Sequence, residues 1–160
     1  MPRRKKASFK RDIGVDPIYG SALIQKLINV IMWRGKKNAA RTIVYDAIET
    51  LIKKNQGDKE KAMNVFHKAF EKLVPLIEVK PRRVGGSVYQ IPTEVSEDRG
   101  RALALRWLIG AAKERSDKTM GLKLAYEILE ANEGRGGAVK KRADVHKMAE
   151  SNRAFSHYSW

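Results

Sequence analysis

Apolar side chains recur every three or four positions in six successive stretches of this chain, with polar side chains between them. That spacing places the apolar side chains on one face of an α-helix, where they can pack against other helices. The pattern therefore predicts a mainly α fold, a six-helix bundle-like domain. The predicted helices begin near Ser21, span about residues 38–55, follow a cap at Asp58, begin near Ser96, span about 118–131 and, more weakly, cover the region of Val139 to Met148.

Two of these helices carry specific expectations about the side chains that face the core. In the fourth helix, Trp107 fits two interpretations equally well, a core side chain or an aromatic that stacks on a base. The side chains expected to point inward from the fourth helix are Ala102, Leu105, Leu108, Ile109 and Ala112. The apolar side chains expected to stabilise the sixth helix are Val139, Ala143, Val145 and Met148.

Between the third and fourth helices the spacing becomes alternating, which indicates a β-hairpin arm at about residues 75–92. Gly85-Gly86 is a favoured hairpin turn, and three prolines exclude a central strand because a proline cannot donate a ladder hydrogen bond. The arm is therefore predicted to be an edge or isolated ribbon. Such a ribbon is marginal by itself in water, so we expect something outside the chain to hold it. A polyanion is favoured over an ordinary surface hairpin by the cations near the tip, Lys80, Arg82 and Arg83.

The same pattern divides the chain into three parts. Residues 1–12 form a basic tail with too few apolar side chains to fold alone, so we expect it to be disordered without a partner. Residues 13–153 form a single helical domain, which begins near a turn at Asp16-Pro17. Residues 154–160 form an aromatic C-terminal tail, and we expect both ends to be loose.

The charge balance indicates the class of partner. The 160 residues include 33 Lys and Arg against 18 Asp and Glu, which gives a net charge of +15. This excess favours binding to a nucleic acid or another polyanion. Charges interrupt every apolar stretch, so no membrane span is predicted. The absence of cysteine excludes disulfides and thiolate chemistry, and the first residues match neither a secretory signal nor a transit peptide, so a cytosolic location fits best.

The sequence offers no convincing catalytic or cofactor site. The segment Gly35–Lys37 lacks the first glycine and the Ser or Thr of a phosphate-binding loop, and the 134–137 glycine cluster has no preceding strand. The three histidines lack metal-ligand spacing. Glu97 and Asp98 are explained by their position at the start of a helix. We therefore predict no catalytic residue, no metal ion and no cofactor.

Basic residues instead gather where the secondary structure is interrupted. Any one cluster fits a solvated loop, but five clusters around a helical body favour RNA, because loops and arms can follow an irregular RNA surface. Roughly ten neutralised phosphates would give a log–log salt slope on the order of −7 to −9. Aromatic residues near these clusters that could stack on unpaired bases are Trp33, Tyr89, Trp107, Tyr158 and Trp160.

Two other functions stay open from the residues alone. A helical DNA-binding regulator would need a recognition helix with base-reading side chains on one face. An RNA-modifying enzyme would need a small-molecule pocket with converging acids. Competition between duplex DNA and structured rRNA tests the first alternative, and saturable cofactor binding tests the second.

Four segments carry a specific resemblance to a known family. They are Leu23–Ala47, with Gly35-Lys36-Lys37 before Ile43-Val44; Val79–Gln90; Ala138–Glu150; and Asn152–Tyr158. Together they resemble the bacterial type of small-subunit ribosomal protein seven, in the right order over essentially the whole chain. The resemblance implies six helices with a β-hairpin between the third and fourth.

The resemblance also implies a function and partners. The family is expected to bind 16S-type small-subunit rRNA as a primary binder that nucleates assembly of the subunit head. It is expected to lie at the subunit interface near the decoding region, with the arm and C-terminal helix beside the exit-site tRNA and the mRNA exit. Small-subunit ribosomal proteins nine and eleven are the expected neighbours, in a cytoplasmic ribosome.

The clusters and the resemblance together predict two sets of contact residues. The predicted rRNA contacts are Arg3, Arg4, Lys5, Lys6, Lys10, Arg11, Lys36, Lys37, Arg41, Lys113, Arg115 and Lys118. The contacts predicted for the arm and the region near tRNA and mRNA are Lys80, Arg82, Arg83, Gly85, Gly86, Tyr89, Lys140, Lys141, Arg142, His146, Lys147 and Arg153. The chain departs from the family pattern at Ile18, where a basic residue is frequent, at Arg34, where an acid is common, and at Pro81, where Ser is usual.

Overall fold

The structure, a computed structural model, describes residues 12–158 of the protein. These residues form six α-helices and one β-hairpin. The elements in chain order are α1 (Ala22–Ile31), α2 (Lys37–Lys54), α3 (Lys59–Leu73), β1 (Ile77–Val84), β2 (Ser87–Glu94), α4 (Glu97–Glu114), α5 (Met120–Asn132), α6 (Gly137–Ser151) and a 3-10 helix (Arg153–Tyr158). The mainly α fold, with the hairpin between the third and fourth helices, is therefore confirmed. The predicted basic tail lies outside the described residues, apart from Asp12.

Polar side chains stabilise the starts of three helices. The Ser21 hydroxyl accepts a hydrogen bond from the Ile24 backbone N–H, and the Thr119 hydroxyl accepts one from Leu122. The Asp58 carboxylate accepts the N–H of Lys61, which confirms the predicted cap of α3. Each bond satisfies an N–H that has no partner within its own helix, which favours a helix start at that residue.

Helix α5 packs against α2, α3 and α4 at the centre of the domain. A Cβ atom on Gly121 would lie 2.8 Å from the Asp46 Cβ atom, so glycine permits the close approach of α5 to α2. The largest fully buried apolar side chains include Leu51, Phe66, Leu108 and Leu124, one from each of these four helices. The predicted apolar stripes therefore do form one shared core.

The predicted core positions of α4 and α6 are confirmed in part. In α4, four of the five predicted side chains are buried, but Ala102 is exposed and Ala104 is buried instead. In α6, the predicted Val139 and Val145 are half-buried, whereas Ala143 and Met148 are exposed. The buried alanines at positions 138 and 149 are eleven residues apart and so lie on one face of the helix, together with position 145. Alanine gives a weak apolar signal, so these two buried positions were not predicted.

The hairpin is a two-stranded antiparallel ribbon over the described residues, as predicted, and it spans residues 77–94, two positions later than the predicted 75–92. Its register pairs Ile77 with Glu94 at the base and closes with the two-residue Gly85-Gly86 turn. Both turn glycines have positive φ angles, 56° and 93°, which glycine adopts without strain. The predicted turn is therefore confirmed.

The ribbon packs on the protein itself. Ile91 is fully buried, and the Tyr89 ring lies 5.0 Å from the Phe155 ring of the 3-10 helix. These contacts correct the expectation that only a partner outside the chain holds the ribbon, and they show that the aromatic segment is packed at Phe155. The sequence pattern did not show this packing, because the packing joins residues more than sixty positions apart.

Candidate nucleic-acid interface

The connection between α1 and α2 presents a group of cations. Arg34 and Gly35 have φ angles of 51° and 76°, which make the chain turn tightly before α2. Lys36 is exposed and Lys37 is half-buried at the start of α2. This helix start has no side-chain cap and no acid in its first turn, so its partial positive charge adds to that of the lysines. The predicted cluster is therefore brought together at one helix end.

Arg41 lies one helical turn after Lys37 on α2. Its side chain is half-buried, and its Nε atom is buried without a hydrogen-bond partner among the described residues. A buried guanidinium nitrogen without an acceptor is costly. A hydrogen-bond acceptor on a bound partner would therefore stabilise the Arg41 side chain.

The ribbon tip presents its two arginines on opposite faces. Arg82 pairs with Tyr89 and Arg83 pairs with Val88 in the antiparallel register. Paired residues share a face, and successive residues alternate between faces. Arg82 therefore lies on the face whose Tyr89 packs on the 3-10 helix, and the exposed Arg83 lies on the other face.

Lys80 is less available than the tip arginines because it is paired inside the protein. Its Nζ atom lies 2.9 Å from the Glu78 carboxylate, and the Arg99 Nε atom lies 2.8 Å from the same group. Burial would raise the pKa of Glu78, but hydrogen bonds from Lys80 and Arg99 outweigh it and hold the pKa below its usual range. This buried carboxylate ties the base of the ribbon to α4.

We expect the ribbon base to be sensitive to acid. A carboxyl group whose pKa is lowered by folding stabilises the folded state above its unfolded pKa, near 4.5, and the contribution is lost as the pH falls further. Replacing Glu78 with Gln should therefore reduce the free energy of unfolding by about 1 kcal/mol at pH 7, because both partners are half exposed and water weakens the pair. Urea unfolding at pH 7 and pH 3 measures this difference.

The difference between the wild type and Glu78→Gln should shrink toward zero at pH 3. The exposed Glu94 on β2 provides a matched control, since Glu94→Gln should have little effect at either pH. A destabilisation by Glu78→Gln that is equal at both pH values would contradict the assigned role of the charge.

Arg115 has an internal role that the sequence analysis missed. Its guanidinium lies 3.1 Å from Asp117, 3.0 Å from Glu127 and 2.7 Å from Glu130. The hydrogen bonds to Glu130, followed by those to the other two acids, raise the pKa of Arg115. The Glu127 side chain is only 1% exposed and also accepts the backbone N–H of Ala138, at 2.9 Å. The network joins the end of α4, α5 and the start of α6, whereas the nearby Lys113 and Lys118 are exposed.

Helix α6 presents a cationic side and a side that packs on the protein. Lys140, Lys141 and Lys147 are exposed. Arg142 is half-buried and donates a hydrogen bond to the Lys72 carbonyl oxygen. The three lysines are therefore the available cations of this helix.

His146 and Arg153 lie beside a cleft between α6, β2 and the 3-10 helix. The His146 Nε2 atom and the Thr93 hydroxyl are buried without hydrogen-bond partners among the described residues. Burial, followed by the nearby charge of Arg142, lowers the pKa of His146, so the ring is neutral at pH 7. His146 thus acts at this junction as a polar group without positive charge.

The aromatic candidates fall into separate environments. Trp33 is exposed, Trp107 is half-buried and Tyr89 packs on Phe155. The half-buried position of Trp107 leaves both of its interpretations open. The Tyr158 side chain and Trp160 lie outside what the structure describes.

Asp16 has a structural role that the sequence pattern did not indicate. This fully buried carboxylate accepts a hydrogen bond from the Tyr45 hydroxyl at 2.7 Å and from the backbone N–H groups of Ile18 and Tyr19. The predicted Asp-Pro turn was the available signal. Asp16 fixes the chain entering α1 against α2.

Neither a metal site nor a membrane span is found in the part of the chain that the structure describes. Residues 12–158 contain no group of three or more acidic or histidine side chains placed to hold a metal ion. None of their helices is both long and apolar enough to cross a bilayer.

Comparison with known proteins gives one consistent result. The family model described as "Ribosomal protein S7p/S5e" matches residues 2–153. The proteins named small ribosomal subunit protein uS7 from Azotobacter vinelandii and Afipia carboxidovorans are each 51% identical to this chain. The alignments cover 99% of both chains in the first case and 100% in the second. A uS7 protein from Mesoplasma florum is also 51% identical, over 98% of this chain and 99% of its own. The chain therefore belongs to the ribosomal protein S7p/S5e family, non-enzymatic rRNA-binding proteins of the small ribosomal subunit.

Proposed function

We propose that this chain is a primary rRNA binder that nucleates assembly of the head of the small subunit. The observation that carries the proposal is the placement of cations that form no salt bridge with an acid among residues 12–158. They lie on connections and protruding elements around the helical core, at Lys36, Lys37, Arg83, Lys113, Lys118, Lys140 and Lys141. A rigid body with charge on its projections can hold several rRNA segments in one arrangement.

The ribbon and α6 are proposed to lie at the subunit interface near the decoding region, beside the exit-site tRNA and the mRNA exit. The ribbon carries two arginines near its tip, of which Arg83 is exposed, while its base is held by the buried Ile91 and by the ion pairs of the Glu78 carboxylate. A firmly held base allows the tip to present its charge in a defined direction. This arrangement supports contact with a separate RNA molecule rather than with the rRNA that holds the body.

We further propose that small-subunit ribosomal proteins nine and eleven are neighbours in a cytoplasmic ribosome. Exposed apolar side chains near the ribbon and on α6, Leu76 and Met148, fit protein contacts better than RNA contacts. The apolar area of each is small, so the neighbouring rRNA would supply most of the binding energy.

The proposal that the helical body binds rRNA while the ribbon tip contacts tRNA is tested with Arg82→Ala combined with Arg83→Ala. We expect unchanged helical circular dichroism and rRNA affinity within about threefold, because the groups that hold the base are untouched and the tip is proposed to contact tRNA instead of the rRNA that holds the body. Small subunits reconstituted with this variant should release exit-site tRNA faster than subunits with the wild type.

The matched control is Lys53→Ala combined with Lys68→Ala, which removes two exposed cations from α2 and α3 outside the predicted contact sets. It should leave tRNA release unchanged. Loss of helical signal, or equal tRNA release from both double variants, would refute the proposed role of the ribbon.

A further inference from the structure

Trp33 is unusually exposed for a tryptophan, the residue type with the largest apolar side chain. It leaves 71% of its surface in solvent, although its neighbours Ile31 and Met32 pack against the core. Its ring has no aromatic or cation contact among the described residues. An aromatic side chain whose face is open to this extent is available to a partner.

The backbone holds Trp33 in a defined position. The Met32 N–H donates to the Ile28 carbonyl at the end of α1, and the Lys36 N–H donates to the Trp33 carbonyl at 3.1 Å. Arg34, between them, has a φ angle of 51°, a strained conformation for a residue other than glycine. The indole therefore projects from a tight turn between two helices whose backbone is already ordered before binding.

The charged residues that follow Trp33 in the sequence are all positive as far as Tyr45. From Trp33 to Tyr45 the charged residues are Arg34, Lys36, Lys37 and Arg41, and no acid occurs among them. The start of α2 adds partial positive charge, and the buried Arg41 Nε atom lacks an acceptor. A protein partner would have to bring several acids to this surface, whereas an RNA strand carries one phosphate for each base.

We propose that Trp33 stacks on an unpaired nucleobase of the bound RNA while Arg34, Lys36 and Lys37 contact the flanking phosphates. The inference rests on the proposed rRNA binding, and it adds a stacking contact to the ionic contacts of the cations. Stacking uses the π-face that all four bases share, so the site selects a single-stranded nucleotide and not a particular base.

The two kinds of contact are separated by measuring rRNA affinity over a series of salt concentrations. Trp33→Ala should weaken binding by about 5- to 150-fold at every salt concentration, without changing the log–log slope, because stacking releases no counterion. Trp33→Phe keeps an aromatic face and should retain most of the affinity. Lys36→Ala combined with Lys37→Ala should instead make the slope shallower by about 1.4 to 1.8, since two phosphate contacts are lost.

The folding control is thermal unfolding of Trp33→Ala, which should match the wild type because the side chain is exposed. Wild-type affinity in Trp33→Ala would overturn the inference while leaving the proposed rRNA binding intact. The inference also fails if Trp33→Ala binds rRNA normally but enters subunits poorly when other ribosomal proteins are present, since that outcome indicates a protein contact. A wild-type chain whose binding ignores salt would remove the proposed function and this inference together.

Discussion

Replacing Arg115 with Ala is expected to lower the free energy of unfolding by about 3–5 kcal/mol. Arg115 is the cation that neutralises Glu127, whose side chain is 1% exposed. Without it, the Ala138 N–H is the only hydrogen-bond partner left to this buried carboxylate within the described range, residues 12–158. Glu130 is better placed, because its side chain is 41% exposed and can turn to water. The expected loss therefore comes mainly from Glu127.

Urea unfolding followed by circular dichroism measures this loss. Lys113→Ala, on the exposed surface of the same helix, should change the free energy of unfolding by less than about 0.5 kcal/mol. Arg115→Lys should restore little, because one ammonium group cannot serve three carboxylates in the geometry of a guanidinium fork. A stable Arg115→Ala protein with greatly weakened rRNA binding would instead identify Arg115 as an RNA contact, as the sequence analysis predicted.

Affinity for small-subunit rRNA is expected to fall by about 10⁴- to 10⁵-fold when the salt concentration rises from about 50 to 200 mM. The reason is that each phosphate neutralised by a cation releases a condensed counterion, and that release favours binding less at higher salt. With roughly ten such contacts the log–log slope is about −7 to −9. Filter binding over a salt series measures the slope.

The control for this experiment is Lys53→Ala combined with Lys68→Ala, which should bind with a slope close to that of the wild type. Competition with duplex DNA tests specificity, since a protein shaped for folded rRNA should release little rRNA to the duplex. Affinity that stays constant across the salt series would contradict binding through the exposed cations. Equal competition by the duplex would favour the DNA-binding alternative.

The sequence predicted the elements of this fold well because their signals are local. The stripe in α2 and the Gly85-Gly86 turn are both encoded within a few residues, and both are confirmed. The stripe of α6 was predicted only in part, because its two buried positions, Ala138 and Ala149, are alanines with a weak apolar signal.

The candidate site was less predictable, because the use of a charge depends on its distant neighbours. Lys36 and Arg115 look alike in sequence, each being a cation in a connection between helices. The structure leaves Lys36 exposed but surrounds Arg115 with acids up to fifteen residues away. The pairing of Tyr89 with Phe155 is equally invisible to a local pattern.

Helix α6 is held at both ends, and this has a mechanical consequence. Its first turn is fixed through Glu127, and its last turns lie against the ribbon base near Thr93 and Glu94. Fifteen residues of helix form a rod about 22 Å long. A force applied at the exposed Lys140 and Lys141 near its first turn would therefore be transmitted along this rod to the ribbon, because a single stiff helix joins the two regions.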